Sequence, residues 1–361
     1  MAQDYGAINL SQGFPDFDCP ERLKELVTQY LYDHKNQYPP MAGIPILRQR
    51  IAEKLLFHYQ HTADPETEIT VTSGATEALF DAIQATVSYG DEVIVFDPAY
   101  DCYEPAIILA GARTVHVPLA LPDYHVDWEL VAQAISDRTR LIIINTPHNP
   151  CGSTLATADL NRLAELIRDK PILVLSDEVY EHMVYDGFSH QGVLSHAELK
   201  QKSFAVFSFG KTYHATGWKL AYCVAPEALT AELRKVHQFV TFTTSSFVQY
   251  AIADFMAECP QHAQELPAFY ERKRDTFGAL IKNSRFKFTA SSGTYFQLVD
   301  YSEISELPDV EFANYLTQKK GVAAIPLAPF YKSPPATKIL RFCFCKDDST
   351  LLQAAAILCQ L

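Results

Sequence analysis

Cysteine pairs at metal-binding or redox spacing are missing from this 361-residue sequence. Its eight cysteines (Cys19, Cys102, Cys151, Cys223, Cys259, Cys343, Cys345 and Cys359) contain no Cys-x-x-Cys, which argues against zinc knuckles and thioredoxin-type sites. His-Glu-x-x-His is missing as well, so the expectation is reduced, packed thiols and no metal. Positive charge is in short supply: 30 Lys and Arg against 43 Asp and Glu give a net charge of −13. No basic stretch tracks a phosphate backbone, which excludes nucleic acid as an expected partner. No run nears ~18 consecutive apolar residues, and Met1 to Leu10 lacks the charged and apolar blocks of a secretory signal. A soluble, cytoplasmic protein with no membrane partner is expected. Repeats, low-complexity tracts and long linkers are absent too.

What is present is material for a large core, with 48% hydrophobic residues over a length that suits one large domain and a smaller one. Between residues 68 and 225 short β-branched runs alternate with amphipathic stretches. The strands expected are Ile69–Thr72, Glu92–Phe96, Thr114–Val117, Leu141–Asn145, Ile172–Leu175, Phe204–Ser208 and Leu220–Val224. Helical spacing recurs in Glu77–Tyr89 and Ala156–Arg168. This pattern predicts an α/β fold: a mostly parallel seven-stranded sheet flanked by helices. After residue 246 longer helices (Ser246–Glu258, Leu266–Asn283) precede strands Thr294–Val299, Val322–Ile325 and Ile339–Phe344. The division expected is a large domain over 36–245 and a smaller α+β domain built from 1–35 and 246–361.

Five of the apolar runs end in polar or glycine-bearing loops: Thr72-Ser-Gly-Ala-Thr76, Asp97-Pro-Ala-Tyr100, Asn145-Thr-Pro-His-Asn149, Ser176-Asp-Glu-Val-Tyr180 and Ser208-Phe-Gly-Lys211. In open α/β sheets ligands bind beyond the carboxyl ends of the strands, so the five loops should meet at one site. Their chemistry matches the needs of a phosphorylated pyridine aldehyde: an amine to bond to it, an anion for the ring nitrogen, donors for the phenolate and a phosphate cradle.

Ser73-Gly74-Ala75-Thr76 opens a helix, where free N–H groups and the helix dipole favour phosphate; an ordinary Ser N-cap would look the same. Lys211 follows an apolar strand, where desolvation would favour its neutral amine, whereas a lone lysine is more often a solvated surface residue. Asp177 ends a buried run and needs a cation, such as a protonated pyridine nitrogen, or else caps the next helix. Asn149 and Tyr180 could donate to the phenolate. Arg341 offers a two-pronged fork to an α-carboxylate, the alternative being an ion pair within the smaller domain. Phe14, Tyr38, Tyr100, Tyr103 and Phe242 could form an aromatic side-chain pocket, although Tyr103 and Phe242 could equally be core residues. No second arginine is assignable to a side-chain carboxylate.

Taken together, the strings Leu10-Ser-Gln-Gly-Phe-Pro-Asp-Phe17, Asn36-Gln-Tyr38, Thr72-Ser-Gly-Ala-Thr-Glu-Ala-Leu79, Asn145-Thr-Pro-His-Asn-Pro150, Ser176-Asp-Glu-Val-Tyr-Glu181, Ser208-Phe-Gly-Lys-Thr212 and Thr216-Gly-Trp-Lys219 make a strong signal. Over essentially its whole length the sequence resembles the class I/II pyridoxal 5′-phosphate (PLP) aminotransferases of fold type I, in particular the subgroup of methionine and kynurenine aminotransferases (glutamine transaminase K). The resemblance implies a homodimer with its active site at the subunit interface, acting on amino acids and 2-oxo acids. It implies that Lys211 bonds to the cofactor aldehyde, Asp177 keeps the ring nitrogen protonated, Asn149 and Tyr180 hold the phenolate, and Tyr100 stacks on the ring. Ser208, Lys219, Gly74, Ala75 and Thr76 would bind the phosphate, with Tyr38 reaching it from a partner subunit. Gly13, Asn149 and Arg341 would hold the substrate carboxylate. Lys219 stands where many relatives carry Arg, a point charge in place of a fork. Only nine residues precede Leu10, so a short N-terminal arm is expected.

Two rivals are weaker. Gly210-Lys-Thr212 resembles the end of a nucleotide-binding P-loop, but Ala205 stands where its first glycine belongs. A PLP-dependent β-lyase acting on cysteine conjugates or cystathionine would use the same cofactor residues.

Overall fold

The computed structural model describes every residue from Met1 to Leu361. Its strands are β1 (Ile8–Asn9), β2 (Ile69–Thr72), β3 (Glu92–Asp97), β4 (Arg113–Pro118), β5 (Thr139–Asn145), β6 (Leu173–Asp177), β7 (Ser203–Ser208), β8 (Ala221–Val224), β9 (Phe296–Asp300), β10 (Val322–Ala323), β11 (Ile325–Pro326) and β12 (Ile339–Cys343). Seven of them form one sheet in the order β2-β8-β7-β6-β5-β3-β4, in which only β8 runs against its neighbours.

Burial explains why these short runs are strands. Every residue of β3 and β7 is buried, as in parallel sheets covered on both faces. The edge strand β4 instead leaves Arg113 and Pro118 exposed. One face is covered by helix Thr157–Ile167 through Leu160, Leu163, Ala164 and Ile167. Helix Ala75–Thr86 covers the other through Ala78, Leu79, Ala82 and Ile83, and burying each Leu or Ile contributes roughly 1.5–3 kcal/mol. The exposed edge of β2 is closed by residues 40–43: the Val71 N–H donates to the Ala42 carbonyl at 3.0 Å. Gly43, at φ +100, lies so close that a Cβ there would collide with Val71.

A second unit stacks β11-β12-β9, all antiparallel, beside the two-stranded pair β1-β10. Helices Gln261–Ile281 and Asp348–Leu358 share its core with Phe277, Phe296, Phe342 and Leu351. The single strand expected over Val322–Ile325 is two short ones in different sheets. Val322 and Ala323 pair with β1, while Ile325 and Pro326 pair with β12.

Two helices pack against the sequence-based division. Glu21–Tyr32 and Ser246–Glu258 place Leu23, Leu26, Val248, Ala251, Ile252 and Phe255 in the core that lines the large sheet. An apolar helix stripe shows that a face is buried, but not which sheet receives it. No helix is long and apolar enough to cross a membrane.

Candidate active site

The ends of β2, β3, β5, β6 and β7 lie on one side of the sheet, because β2 and β7 both oppose β8 and the others run parallel to β7. All five loops singled out in the sequence line a single cavity of about 570 Å³ there. Lys211, Asp177, Asn149, Tyr180, Tyr100, Ser208, Lys219, Gly74, Ala75, Thr76, Gly13 and Arg341 all face it. Tyr38 does not. It is 84% exposed and packs edge-on against Phe242 at 5.5 Å, outside the cavity of its own chain.

Lys211 sits on the short helix Phe209–Thr212 directly after β7. Its Nζ donates to the Tyr295 hydroxyl at 2.8 Å and to the Gly13 carbonyl at 3.2 Å. Desolvation pulls its pKa down to about 8, against the opposing pull of Cys343, Cys345 and Asp177. A share of the amine is therefore neutral near physiological pH, as a nucleophile or proton acceptor requires.

Asp177 closes β6, where its backbone carbonyl accepts from Asn145 Nδ2 at 2.8 Å. Its carboxylate accepts from the Tyr103 hydroxyl at 2.6 Å. Burial raises its pKa to about 6, outweighing the Tyr103 and Val179 hydrogen bonds that favour the charge. A carboxylate in this state gains from a cation placed against it.

Arg341, on β12, is 6% exposed. Its Nη1 donates to Asn149 Oδ1 at 2.7 Å, its Nη2 to the Ser11 carbonyl at 3.2 Å, and its Nε has no partner. The guanidinium lies 3.9 Å from the Phe296 ring centroid and 5.5 Å from that of Phe330. The ion pair weighed as an alternative does not form: none of the salt bridges includes Arg341. A buried cation stacked on aromatics without a counter-ion is built to receive an anion.

Helix Ala75–Thr86 begins at the cavity, with Gly74 in front of it at φ +80. A Cβ on Gly74 would stand 3.0 Å from both Cε and Nζ of Lys219, so the missing side chain lets the lysine lie over the helix N-terminus. Open N–H groups, a helix dipole and an ammonium together make an anion cradle.

Sequence reasoning missed Tyr295 and left Tyr103 open between pocket wall and core. Tyr295 holds Lys211 from 84 positions away in the chain; only the fold brings the two together. Tyr103 is buried, as its core alternative had it, and hydrogen-bonded to Asp177. Phe14 and Tyr100 do line the cavity, while Phe242 does not. Ala205 is a fully buried residue within β7, so no P-loop forms there.

The chain folds as a PLP fold type I aminotransferase does, and the Aminotransferase class I and II family model matches residues 5–358. It belongs to that family and is an aminotransferase. It is 50% identical over 361 residues to methionine aminotransferase of Escherichia coli, covering 100% of this chain and 94% of that one. A solved E. coli structure described as having a methionine aminotransferase function superposes with a TM-score of 0.98 at 50% identity, over 100% of this chain and 94% of that one. Kynurenine–oxoglutarate transaminase 3 of Rattus norvegicus is 36% identical, over 99% and 85% of the two chains. The N-succinyldiaminopimelate aminotransferase structure from Mycobacterium tuberculosis gives a TM-score of 0.94 at 36% identity, over 99% and 94%.

Proposed function

We propose that the cavity binds pyridoxal 5′-phosphate and transfers the amino group of a hydrophobic, aromatic or sulfur-containing amino acid, methionine foremost, to a 2-oxo acid. The observation that carries this reading is the presence in one cavity of a lysine with a depressed pKa, a carboxylate lacking a cation and an arginine lacking an anion. Each group wants what a phosphorylated pyridine and an amino acid would bring.

The residues present fit that cofactor. Gly74, Ala75, Thr76, Ser208 and Lys219 would hold its phosphate, joined by Tyr38 of the partner subunit in a homodimer. Asp177 would face the ring nitrogen, Asn149 and Tyr180 the phenolate oxygen, and Tyr100 the ring plane. When bound, the group supplies an electrophilic carbon and an electron sink for the charge left at the substrate α-carbon.

The chain's own groups do the rest. Arg341, held by Asn149 and the Ser11 carbonyl, grips the substrate carboxylate, and Gly13 leaves room beside it. A Cβ at Gly13 would stand 2.7 Å from Phe296 Cζ. Lys211 Nζ, steered by Tyr295 and the Gly13 carbonyl, would take the α-proton and deliver it to the cofactor carbon on the far side of the transferred nitrogen, as base and then as acid. Asp177 would balance the positive charge of the ring nitrogen while the group is bound. Phe14, Tyr100, Phe296, Phe330 and Ile325 give the cavity an apolar wall, and Arg341 is its only arginine, which suits an apolar substrate side chain better than a second carboxylate. The eight free thiols suit a reducing cytoplasm.

A donor panel against fixed 2-oxo acids tests the reading, together with borohydride reduction and mapping of the attachment site. Ping-pong kinetics, label on residue 211 and methionine ahead of aspartate are expected. Full turnover by Lys211→Ala would sink the lysine assignment, and aspartate preference the substrate class. Pyruvate and ammonia release as the main products would favour the β-lyase.

A further inference from the structure

Behind the anion cradle lies a buried cluster of three titratable groups with no part in the chemistry above. His237, on helix Glu227–Val240, is fully buried. Its Nδ1 lies 2.7 Å from Glu77 Oε1 and 3.6 Å from Asp81 Oδ2. Its Nε2 lies 3.0 Å from the Met41 carbonyl oxygen. The Met41 carbonyl can only accept, and so can Glu77 as a carboxylate; with Glu77 ionised, both contacts are hydrogen bonds only if both ring nitrogens carry protons. The surroundings ask for the same state. Asp81 is fully buried and neither of its oxygens has a hydrogen-bond partner, and Glu77 is nearly as buried. Cys223 of β8, the other titratable neighbour of Asp81, is held neutral by burial and by that carboxylate. His237 is thus the one cation available to the pair, and its two acidic neighbours raise its pKa to about 9 although burial opposes this.

What the imidazolium touches gives it a consequence at the active site. Glu77 lies in the first turn of the helix that starts the anion cradle, and its other oxygen accepts from the Ser73 N–H in the turn before Gly74. An uncompensated carboxylate there would repel a phosphate set on the same helix end. On its far side His237 holds the Met41 carbonyl, in the segment laid along the edge of β2 that leads from Tyr38. The same segment is pinned at Ala42 by Val71 and at Ile44 by Gln249 Oε1, which accepts its N–H at 2.8 Å.

We propose that His237 is a positioning residue: a permanently protonated imidazole that neutralises Glu77 behind the phosphate cradle and ties that cradle to the Tyr38 segment. The proposal rests on the cofactor reading above. It concerns cofactor affinity, since His237 touches neither the cavity nor substrate.

The test uses the full-length protein. ¹⁵N-histidine NMR reads the ring's protonation directly, and titration of the cofactor-free protein with pyridoxal phosphate, followed by absorbance, reads affinity. The expected results are two protonated ring nitrogens in His237 at pH 7.5, and a Kd raised about tenfold or more in His237→Leu. The double variant His237→Leu/Glu77→Gln should recover about threefold or more of that loss, because the uncompensated charge has gone. A purely structural histidine would show no such recovery. Should the leucine variant not fold, Glu77→Gln alone must move the His237 titration midpoint downwards. A neutral ring in the wild type, an unchanged Kd in folded His237→Leu, or one divalent metal ion per chain lost on replacing His237 would each overturn the proposal. A wild-type protein that takes up no pyridoxal phosphate would instead sink the cofactor reading, and the NMR signal would still decide whether the clamp is charged.

Discussion

The Tyr103 hydroxyl donates to Asp177 Oδ2 at 2.6 Å, and no other side chain gives that carboxylate a hydrogen bond. Tyr103 therefore opposes the burial that pushes the Asp177 pKa up to about 6. Tyr103→Phe should raise it further, so the acid limb of pyridoxal phosphate binding should move to higher pH, with a loss of ~1–3 kcal/mol in affinity. Kd measured across pH 5 to 8 checks this; an unmoved limb would show that Asp177 ionisation does not control binding.

The raised Asp177 pKa also sets a sign for stability without cofactor. The folded state holds this proton more tightly than the unfolded chain, so the penalty is absent below the unfolded value of 3.8, grows as pH rises to about 6 and is complete above it. Cofactor-free Asp177→Asn should melt at or above the wild-type temperature at pH 8, with the gain fading below pH 4. The same variant should lose ~100-fold or more in turnover when loaded, because the ring's charge is no longer held. Melting curves and steady-state rates on one preparation read both.

Lys211 titrates the other way. Its folded pKa of about 8 lies below the unfolded 10.5, so the cost of burying its charge is full below pH 8, shrinks between 8 and 10.5 and vanishes above. Lys211→Met should stabilise the cofactor-free protein at pH 7 by ~1–3 kcal/mol, and by only a small remnant of that at pH 10.5. Chemical denaturation at the two pH values checks this.

Gly74→Ala attacks the cradle through the backbone. The residue must keep φ +80, and its new Cβ would stand 3.0 Å from the Lys219 side chain. A cost of ~1–2 kcal/mol in stability is expected, with a larger loss in affinity for pyridoxal phosphate than for substrate. Equal loss for both would place Lys219 elsewhere in the mechanism.

Tyr38 is exposed on its own chain, so its proposed role requires a second copy. Mixing Tyr38→Ala with Lys211→Ala subunits should restore activity, because each hybrid dimer has one site free of both defects, about half its sites. No recovery on subunit exchange would place Tyr38 outside the partner's site.

The sequence by itself determined the large sheet and which of its strand-end loops meet at one cavity. Strands such as β3 and β7 are buried on both faces and so read as short apolar runs, and the polar residues that end them stand out because a strand end is where a buried chain can afford one. Lys211, Asp177, Asn149 and Tyr180, at or just past such ends, line the one cavity as expected, whereas Arg341 lies within β12 and was singled out for its guanidinium fork. Element ends were less so: the helix expected to run to Tyr89 stops at Thr86, where Val87 turns to extended backbone. Tertiary structure alone decided the pairings, which join distant positions: Tyr295 on Lys211, Tyr103 on Asp177, Asn149 on Arg341 in place of a carboxylate, and His237 between Glu77 and Met41. It also decided where helices Glu21–Tyr32 and Ser246–Glu258 dock. Periodicity along a chain reports how much of a residue is buried, whereas its partner and its charge state depend on which other element the fold sets against it.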